Sequence, residues 1–212
     1  MSFLQTIPCL LIHRAKDTVR DECIHALEEK LGQVLQRFEG ISGDFLIADG
    51  YPTKHPYENI PTTAGNIGCT ASHVEILEST IKSKHEFVCI FEDDAEVVGD
   101  IDVYLTAVNK LPPGDIILLG TNEIVDGSST EIPLITKVTR FWGTHAVIVN
   151  RRGVLGILNT YKRYVDKGIA LPADWLYSYA IKEEGLTAYA PVKSVIRQKP
   201  GFISFISGKV RR

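Results

Sequence analysis

The sequence predicts an α/β sandwich built on a mostly parallel sheet. Short apolar runs alternate along the chain with longer segments of helical periodicity, a pattern typical of strands that alternate with covering helices. Two of the runs, 87–91 (FVCIF) and 115–120 (DIILLG), are almost continuously apolar. Strands of that composition are buried on both faces, as they are in parallel sheets.

The first half of the chain starts this alternation with an apolar strand over 7–13. Apolar residues then recur at spacings of three and four over 17–38, which predicts an amphipathic helix. A second strand is expected over 44–48 (DFLIA), where an Asp-Gly pair then marks a turn. The stretch 51–65 is rich in polar residues and proline and predicts a loop, and a helix is expected over 66–84.

The second half continues the same alternation. Helices are predicted over 101–111, 151–165 and 174–184, and strands over 87–91, 115–120 and 145–149. Residues 121–140 are polar and predict an irregular excursion over the surface, and a last extended segment is expected over 186–196. No repeat or linker divides the chain, so one domain over residues 1–212 is expected.

The composition excludes several classes of protein. The chain has 23 basic and 26 acidic residues, a formal net charge of −3 and 44% hydrophobic residues, which excludes a disordered chain. The slightly acidic balance argues against nucleic-acid binding through bulk charge. No run approaches the roughly 20 apolar residues of a transmembrane helix. The four cysteines form no CxxC pair and have apolar neighbours, so buried free thiols in a reducing compartment are expected.

Three consecutive carboxylates, Glu92, Asp93 and Asp94, follow the buried strand at 87–91 without a spacer. In an open α/β sheet, ligands bind just beyond the carboxyl ends of the strands. Side chains alternate along an extended backbone, so Glu92 and Asp94 are expected on one face and Asp93 on the other. Two carboxylates on one face favour Mg²⁺ or Mn²⁺, held together with substrate phosphates. A solvated acidic turn before the next helix is the alternative interpretation.

Four segments, in this order, resemble glycosyltransferase family 25, the lipopolysaccharide and procollagen galactosyltransferase group, and related small virus-encoded GT-A domains. The first two are 10–20 (LLIHRAKDTVR) and 48–50 (ADG). The third combines 65–73 (GNIGCTASH) with 91–94 (FEDD), similar to the family's G-x-I-G-C-x-x-S-H helix and its E-D-D motif. The fourth combines 143–146 (GTHA) with 172–174 (PAD).

The resemblance implies a GT-A-type three-layer sandwich, the fold of nucleotide-diphospho-sugar transferases. It implies a hexosyltransferase that uses Mn²⁺ or Mg²⁺ and a UDP-sugar donor, and that modifies a hydroxyl of a glycan or glycoprotein acceptor with inversion. Residues 92–94 would be the counterpart of the DXD motif. In that motif Asp94 and Glu92 would be the metal residues, with Glu92 binding metal-bound water or the ribose, and Asp93 would bind the donor. A cytoplasmic location is expected, which is the host cytoplasm if the chain is virus-encoded.

Asp174 is the predicted catalytic base, because a single inverting displacement needs a group that deprotonates the acceptor hydroxyl. It stands at the start of a predicted helix, after Pro172, so a helix cap is the alternative interpretation. Further donor-binding candidates are His13 and Arg14 at the end of the first strand, Asp49 after the second strand, and Gly68 and His73 near a helix N-terminus, which favours anions.

Three other side chains have both a functional and a structural interpretation. His145 lies in an apolar strand and is expected to be a core histidine rather than a ligand. Trp142 and Trp175 flank the expected acceptor side, where aromatic faces suit sugar rings, although either side chain can equally belong to the core.

Two other functions are compatible with the same carboxylates. One is a metal-dependent phosphohydrolase or nucleotidyltransferase, and the other is a GT-A scaffold that binds nucleotide or glycan without turnover. Sugar transfer requires an acceptor, whereas a phosphohydrolase releases phosphate without one.

Overall fold

The computed structural model describes residues 2–57 and 61–200. The first half of the chain forms β1 (Cys9–His13), α1 (Asp21–Leu31), β2 (Gln36–Glu39), α2 (Gly43–Ala48), α3 (Ala64–Lys82), β3 (Phe87–Glu92), β4 (Ala95–Val97) and α4 (Ile101–Val108). The second half forms β5 (Ile116–Gly120), β6 (Glu123–Ser129), β7 (Ile135–Trp142), β8 (Ala146–Asn150), α5 (Arg151–Asp166), α6 (Ala173–Glu183), β9 (Ala188–Pro191) and β10 (Ile196–Gln198).

Within these described ranges, eight strands form one sheet in the order β2-β1-β3-β8-β5-β9-β7-β6. Strands β7 and β8 run against the other six, because β8 is antiparallel to both β3 and β5, and β7 is antiparallel to both β6 and β9. The remaining neighbours pair in parallel. Most strands therefore point one way, as predicted, and β4 pairs with β10 in a separate antiparallel ribbon.

Two apolar layers flank the sheet and confirm the predicted sandwich. Helices α1 and α4 cover one face through side chains such as Leu27 and Leu105. Helices α3, α5 and α6 cover the other face through Leu77, Ile157 and Leu176. Burial of each such side chain stabilises the fold by about 1.5–3 kcal/mol. No helix among the described residues is both long enough and apolar enough to cross a membrane.

The second strand lies earlier in the chain than predicted. The helix expected over 17–38 ends at Leu31, because Gly32 adopts the left-handed backbone conformation (φ 64°) that closes helices. Strand β2 then uses residues that the helical pattern had included, and 44–48 is part of helix α2. A short apolar run does not distinguish a strand from a helical turn. Asp49 therefore follows a helix, and its expected place at the end of a strand is wrong.

The expectation of irregular structure over 121–140 is also wrong, because β6 and β7 form an antiparallel hairpin there. Strand β6 lies at the edge of the sheet, and nearly all of its residues are exposed. An edge strand that buries neither face has no alternation of apolar and polar residues to reveal it. The hairpin lines a surface cavity through residues such as Asp126 and Trp142.

Candidate active site

Two adjoining cavities lie beyond the carboxyl ends of β1 and β3. The β1 cavity, of about 450 Å³, is lined by the end of β1, by 40–44 and by the start of α3. The α6 cavity, of about 260 Å³, is lined by 143–145 and by the start of α6. Cys69, Glu92 and Gln198 line both cavities. Glu92, the last residue of a central buried strand, therefore marks their junction.

A buried cation balances two of the three consecutive carboxylates. Arg20 Nη1 forms ion pairs with Asp93 Oδ1 and with Asp94 Oδ2, the latter at 3.0 Å. His13 Nδ1 lies 3.0 Å from the other oxygen of Asp93. Burial raises the pKa of Asp93 above its usual range, and the charge of Arg20 opposes this rise. Asp93 is thus turned toward Arg20 and His13, on the side of the β1 cavity.

Glu92 faces the opposite way, into the junction of the cavities. Thr144 Oγ1 donates a hydrogen bond of 2.6 Å to Glu92 Oε1, and His73 Nε2 lies 3.5 Å from the same oxygen. Burial alone would raise the pKa of Glu92, but the imidazoles of His73 and His145 and the Thr144 hydroxyl outweigh it and hold that pKa below its usual value. Glu92 is therefore a carboxylate at neutral pH.

Glu92, Asp94 and His145 form a set of three side chains that fits a divalent cation. One potential ligand atom from each lies within 4.8 Å of the other two. Asp94 Oδ1 and His145 Nδ1 are buried and have no hydrogen-bond partner in the described part of the chain. Two carboxylates match the hard cations Mg²⁺ and Mn²⁺, and the imidazole nitrogen favours Mn²⁺. Glu92 and Asp94 lie together as expected, but not through strand alternation, because Asp93 and Asp94 form a turn after β3 and both contact Arg20.

Asn122 fixes the orientation of the His145 imidazole. The amide oxygen Oδ1 of Asn122 lies 3.0 Å from His145 Nε2, so this ring nitrogen carries the hydrogen and donates it. In the neutral imidazole the lone pair is then on Nδ1, the nitrogen that has no partner among the described residues. A hydrogen bond to the outer nitrogen is the usual way in which proteins hold a metal-binding histidine.

A second group of three, Cys69, His73 and Glu92, also brings potential ligand atoms within 4.8 Å of one another. Burial raises the pKa of the Cys69 thiol well above its usual value, and the charge of Glu92 raises it further. A protonated thiol is a poor metal ligand. The set that contains Asp94 and His145 is therefore the better cation site.

Asp174 lies in the first turn of α6 and lines the α6 cavity together with Glu92. Its Oδ2 accepts a hydrogen bond of 3.1 Å from the Gly143 amide, and its Oδ1 accepts one of 2.9 Å from the Trp175 amide. Burial raises the pKa of Asp174, and these two amides oppose the rise. The helix cap is Pro172, so the alternative interpretation of Asp174 as the cap residue does not hold.

Six of the residues predicted to bind donor or metal line the β1 cavity: His13, Arg14, Gly68, Glu92, Asp93 and Asp94. Asp49 and His73 line neither of the two cavities. Asp49 is exposed after α2, because the predicted strand before it is a helix. His73 is fully buried, because it lies three turns into α3 and faces inward, with Nδ1 3.1 Å from the Tyr177 hydroxyl. His73 contacts Glu92 from the core side and lines neither cavity.

Gly68 and Ser72 hold one wall of the β1 cavity against α3. A Cβ atom at Gly68 would lie 2.4 Å from the Ile41 carbonyl oxygen, so only glycine allows this approach. Ser72 Oγ accepts a hydrogen bond of 2.9 Å from the Ile41 amide. The segment 41–43 is thereby fixed at the edge of the cavity, and the structural role of Gly68 is close backbone packing.

Sequence reasoning missed several functional candidates. Asn122 gave no signal, because single polar residues in predicted loops are common, and Thr144 entered only as part of the GTHA segment of the family resemblance. His145 was expected to be a core histidine, and it is indeed buried, but it stands just before β8 and faces the carboxylates. Gln198 is a candidate for a diphosphate contact only by its position near the C-terminus. It donates a hydrogen bond of 2.7 Å to Asp94 Oδ2, a contact between residues 104 positions apart that no local pattern reveals.

The chain is similar in structure to several solved proteins, all at low sequence identity. A197 from STIV matches over 90% of this chain and 84% of its own, with 12% identity and a TM-score of 0.48. A nucleoside-diphosphate-sugar pyrophosphorylase from Vibrio cholerae RC9 matches over 89% and 73%, with 13% identity and a TM-score of 0.42. A glycosyltransferase involved in glycosylation of the major capsid of PBCV-1 matches over 73% and 66%, with 13% identity and a TM-score of 0.38. No curated protein matches the sequence.

A family model supplies the classification. The model described as glycosyltransferase family 25 (LPS biosynthesis protein) matches residues 7–132, which is more than half of the chain. The matched range contains β1, the helix with the GNIGC segment and the three carboxylates after β3. The resemblance seen in the sequence and the GT-A-type α/β fold that it implied are confirmed. The chain therefore belongs to glycosyltransferase family 25.

Proposed function

We propose that this chain is a metal-dependent hexosyltransferase that moves a sugar from a UDP-sugar to a hydroxyl of a glycan or glycoprotein acceptor, with inversion. The observation that carries the proposal is the set of Glu92, Asp94 and His145 at the junction of the two cavities. Family membership supplies the reaction class, and the two buried ligand atoms without partners, on Asp94 and His145, support a bound cation.

The donor nucleotide occupies the β1 cavity in this proposal. Ala64 and Gly65, in the first turn of the 19-residue helix α3, line that cavity. Backbone amides at a helix N-terminus attract phosphate groups, and Arg14 at the end of β1 adds a positive charge. The diphosphate would thus lie between a helix terminus and the carboxylate pair, while the sugar extends into the α6 cavity.

The residues around the cation set keep its ligands in place. Arg20 and Gln198 hold Asp94 through Oδ2, Asn122 orients His145, and Thr144 anchors Glu92. A divalent cation held by these three ligands would supply the positive charge that stabilises a departing diphosphate.

Asp174 is the proposed base that takes the proton of the acceptor hydroxyl. It lines the cavity that also holds Glu92, and its two hydrogen bonds come from backbone amides that fix its position. Burial raises its pKa, which makes the carboxylate a better proton acceptor than an exposed aspartate. A single displacement with this base needs no covalent nucleophile.

The proposed place of action is the cytoplasm, which is the host cytoplasm if the chain is virus-encoded. All four cysteines are free, and Cys9, Cys23 and Cys89 are buried. Free thiols support a reducing compartment.

The test is calorimetric titration with UDP, in the presence and absence of Mn²⁺, on the wild type, Asp94→Asn and Glu96→Gln. We expect UDP to bind only with Mn²⁺, and the affinity for Mn²⁺ to fall at least tenfold in Asp94→Asn. Glu96→Gln is the matched control, because Glu96 belongs to the same acidic stretch but pairs with Arg197 outside both cavities. Equal UDP binding by all three proteins without metal would contradict the metal site.

Product analysis separates the rival functions. Incubation with a panel of UDP-sugars and acceptor glycans should release UDP and form a glycoside. Release of inorganic phosphate without acceptor would indicate a phosphohydrolase. Release of pyrophosphate from a nucleoside triphosphate would indicate a nucleotidyltransferase. Binding without any product would indicate a glycan- or nucleotide-binding module.

A further inference from the structure

A third cavity, of about 810 Å³, lies next to the α6 cavity, between the β6–β7 hairpin and α6. We call it the aromatic groove and define it by Tyr57, Asp126, Arg140, Trp142, Trp175 and Tyr179. Nothing in the proposed transfer step described above uses this groove.

The aromatic rings of the groove form one connected surface. The ring centroid of Trp175 lies 5.2 Å from that of Trp142, 5.3 Å from that of Tyr57 and 5.9 Å from that of Tyr179. Tyr57 is 70% exposed, and the other three rings are half-buried. Rings of this size usually lie in the core, so four of them together at the wall of a cavity indicate a binding surface.

The polar side chains around these rings are suited to hydrogen bonding. The Arg140 guanidinium lies 4.9 Å from the ring centroids of both Trp142 and Trp175, and this cation–π contact holds the two indoles in place. Asp126, whose carboxylate accepts a hydrogen bond of 2.6 Å from Thr139, and Lys182 line the same groove. Flat aromatic faces with donors and acceptors at their margin match a sugar ring, which has apolar C–H faces and hydroxyls around its edge.

The groove is continuous with the α6 cavity. Trp175 lines both, and it directly follows Asp174, the proposed base. Trp142 directly precedes Gly143, whose amide binds the Asp174 carboxylate. An extended ligand with a hydroxyl beside Asp174 would therefore continue onto the indoles.

We infer that the aromatic groove binds the sugar units of an oligosaccharide acceptor that lie beyond the unit being modified. The inference rests on the proposed function, because it takes the α6 cavity as the place of transfer. It adds the substrate class: the acceptor is an oligosaccharide chain, rather than a single sugar or a bare amino-acid side chain.

Tryptophan itself is the probe for this inference, because Trp142 and Trp175 are the two tryptophans of the chain. Their indole N–H resonances, recorded by NMR on ¹⁵N-labelled protein, report the groove directly. The ligands are four tetrasaccharides, each built from one sugar: glucose, galactose, mannose or N-acetylglucosamine. Each is compared with the methyl glycoside of the same sugar. We expect at least one tetrasaccharide to shift both resonances with an affinity at least tenfold above that of its monosaccharide.

Three variants complete the test, with thermal unfolding as the check of folding. Trp142→Ala and Tyr57→Ala should each lower the affinity for that tetrasaccharide at least fivefold, and Tyr57 is exposed enough for its loss to leave the fold intact. Leu155→Ala, at an exposed position on α5 outside the three cavities, is the control and should bind like the wild type. The inference is overturned if no tetrasaccharide shifts the indoles, or if Tyr57→Ala binds as tightly as Leu155→Ala.

A parallel titration of the wild type with UDP and Mn²⁺ separates this inference from the proposed function. Glycan binding without UDP binding would support the groove and contradict the sugar-nucleotide donor. UDP binding without glycan binding would contradict the groove and leave the donor site supported.

Discussion

The two cavities that meet at Glu92 balance their carboxylates in different ways. On the β1 side, Asp93 and Asp94 share the buried guanidinium of Arg20. On the α6 side, Asp174 takes its hydrogen bonds from two backbone amides. Burial raises the pKa of both Asp93 and Asp174, and the rise is opposed by the charge of Arg20 at Asp93 and by two backbone amides at Asp174. In the proposed transfer, the fixed charge of Arg20 would belong to the donor side, and Asp174, which has no charged partner of this kind in the described ranges, would be the base on the acceptor side.

The two sides also differ in their relation to the family. The matched range 7–132 contains the carboxylates that line the β1 cavity, together with Asn122. Trp142, His145 and Asp174 lie beyond that range. The part that the family model matches thus contains most of the proposed donor side, and most of the proposed acceptor side comes from the remainder of the chain.

The largest expected effect is on Asp174, the residue that sets the α6 side apart. Asp174→Asn keeps the shape of the side chain and an oxygen that can accept one of the two amide hydrogen bonds, but it cannot take up a proton. We expect the rate of sugar transfer to fall by about 10²–10⁴-fold, while the affinity for UDP with Mn²⁺ is unchanged. Steady-state kinetics and calorimetry measure the two quantities.

Asp102→Asn on α4, away from both cavities, is the matched control for that substitution and should transfer sugar like the wild type. If Asp174→Asn retains the wild-type rate, the assignment of the base is wrong and the contrast between the two sides disappears. If it loses UDP binding as well, Asp174 belongs to the donor side.

The next largest effect tests the charge balance of the β1 side. Arg20→Met leaves two buried carboxylates without their cation, which should lower the free energy of unfolding by about 3–5 kcal/mol. Arg197→Met breaks the exposed pair with Glu96 and should cost less than about 1 kcal/mol. Urea unfolding of both variants gives the comparison, and equal losses would show that Arg20 does not hold the cluster together.

A third prediction concerns the residue that links the two sides, His145. Asn122→Ala removes the acceptor that orients its imidazole, so the affinity for Mn²⁺ should fall by about 10–100-fold. Titration of Mn²⁺ in the absence of nucleotide, followed by electron paramagnetic resonance, measures this change. Asn122→Asp retains an acceptor oxygen and should recover much of the affinity. If Asn122→Ala binds Mn²⁺ like the wild type, the metal does not use His145.

The sequence predicted the features of this site that depend on local patterns. The buried strand that ends at Glu92 follows from apolar content. The expected alternation of faces does not extend past it, because Asp93 and Asp94 form a turn and both reach Arg20. Local patterns also misled, since the apolar run at 44–48 is a helix and Asp49, which follows it, lines neither of the two cavities.

Other features depend on contacts between distant parts of the chain. Arg20 meets Asp93 across 73 positions, and Asn122 meets His145 across 23. The exposed strand β6, which lines part of the aromatic groove, gave no periodic signal, because it buries neither face. Such pairings are set by the order of strands in the sheet. No local pattern in a single sequence reveals that order.

The smallest predicted effect concerns a pair that is less buried than that of Arg20, since the Arg37 side chain is 40% exposed and the Glu28 side chain 11%. The hydrogen bond from Arg37 holds the pKa of Glu28 below its usual value, so the pair stabilises the fold above the unfolded-state pKa of about 4.3. Glu28→Gln retains an oxygen for the Leu35 amide but loses the charge, and should lower the free energy of unfolding by less than about 1 kcal/mol near neutral pH. The loss should vanish as the pH falls through the lowered pKa, because Glu28 is then protonated in the wild type too. Urea unfolding across this pH range measures it, and a difference that persists in acid would mean that hydrogen-bond geometry, rather than charge, stabilises this pair.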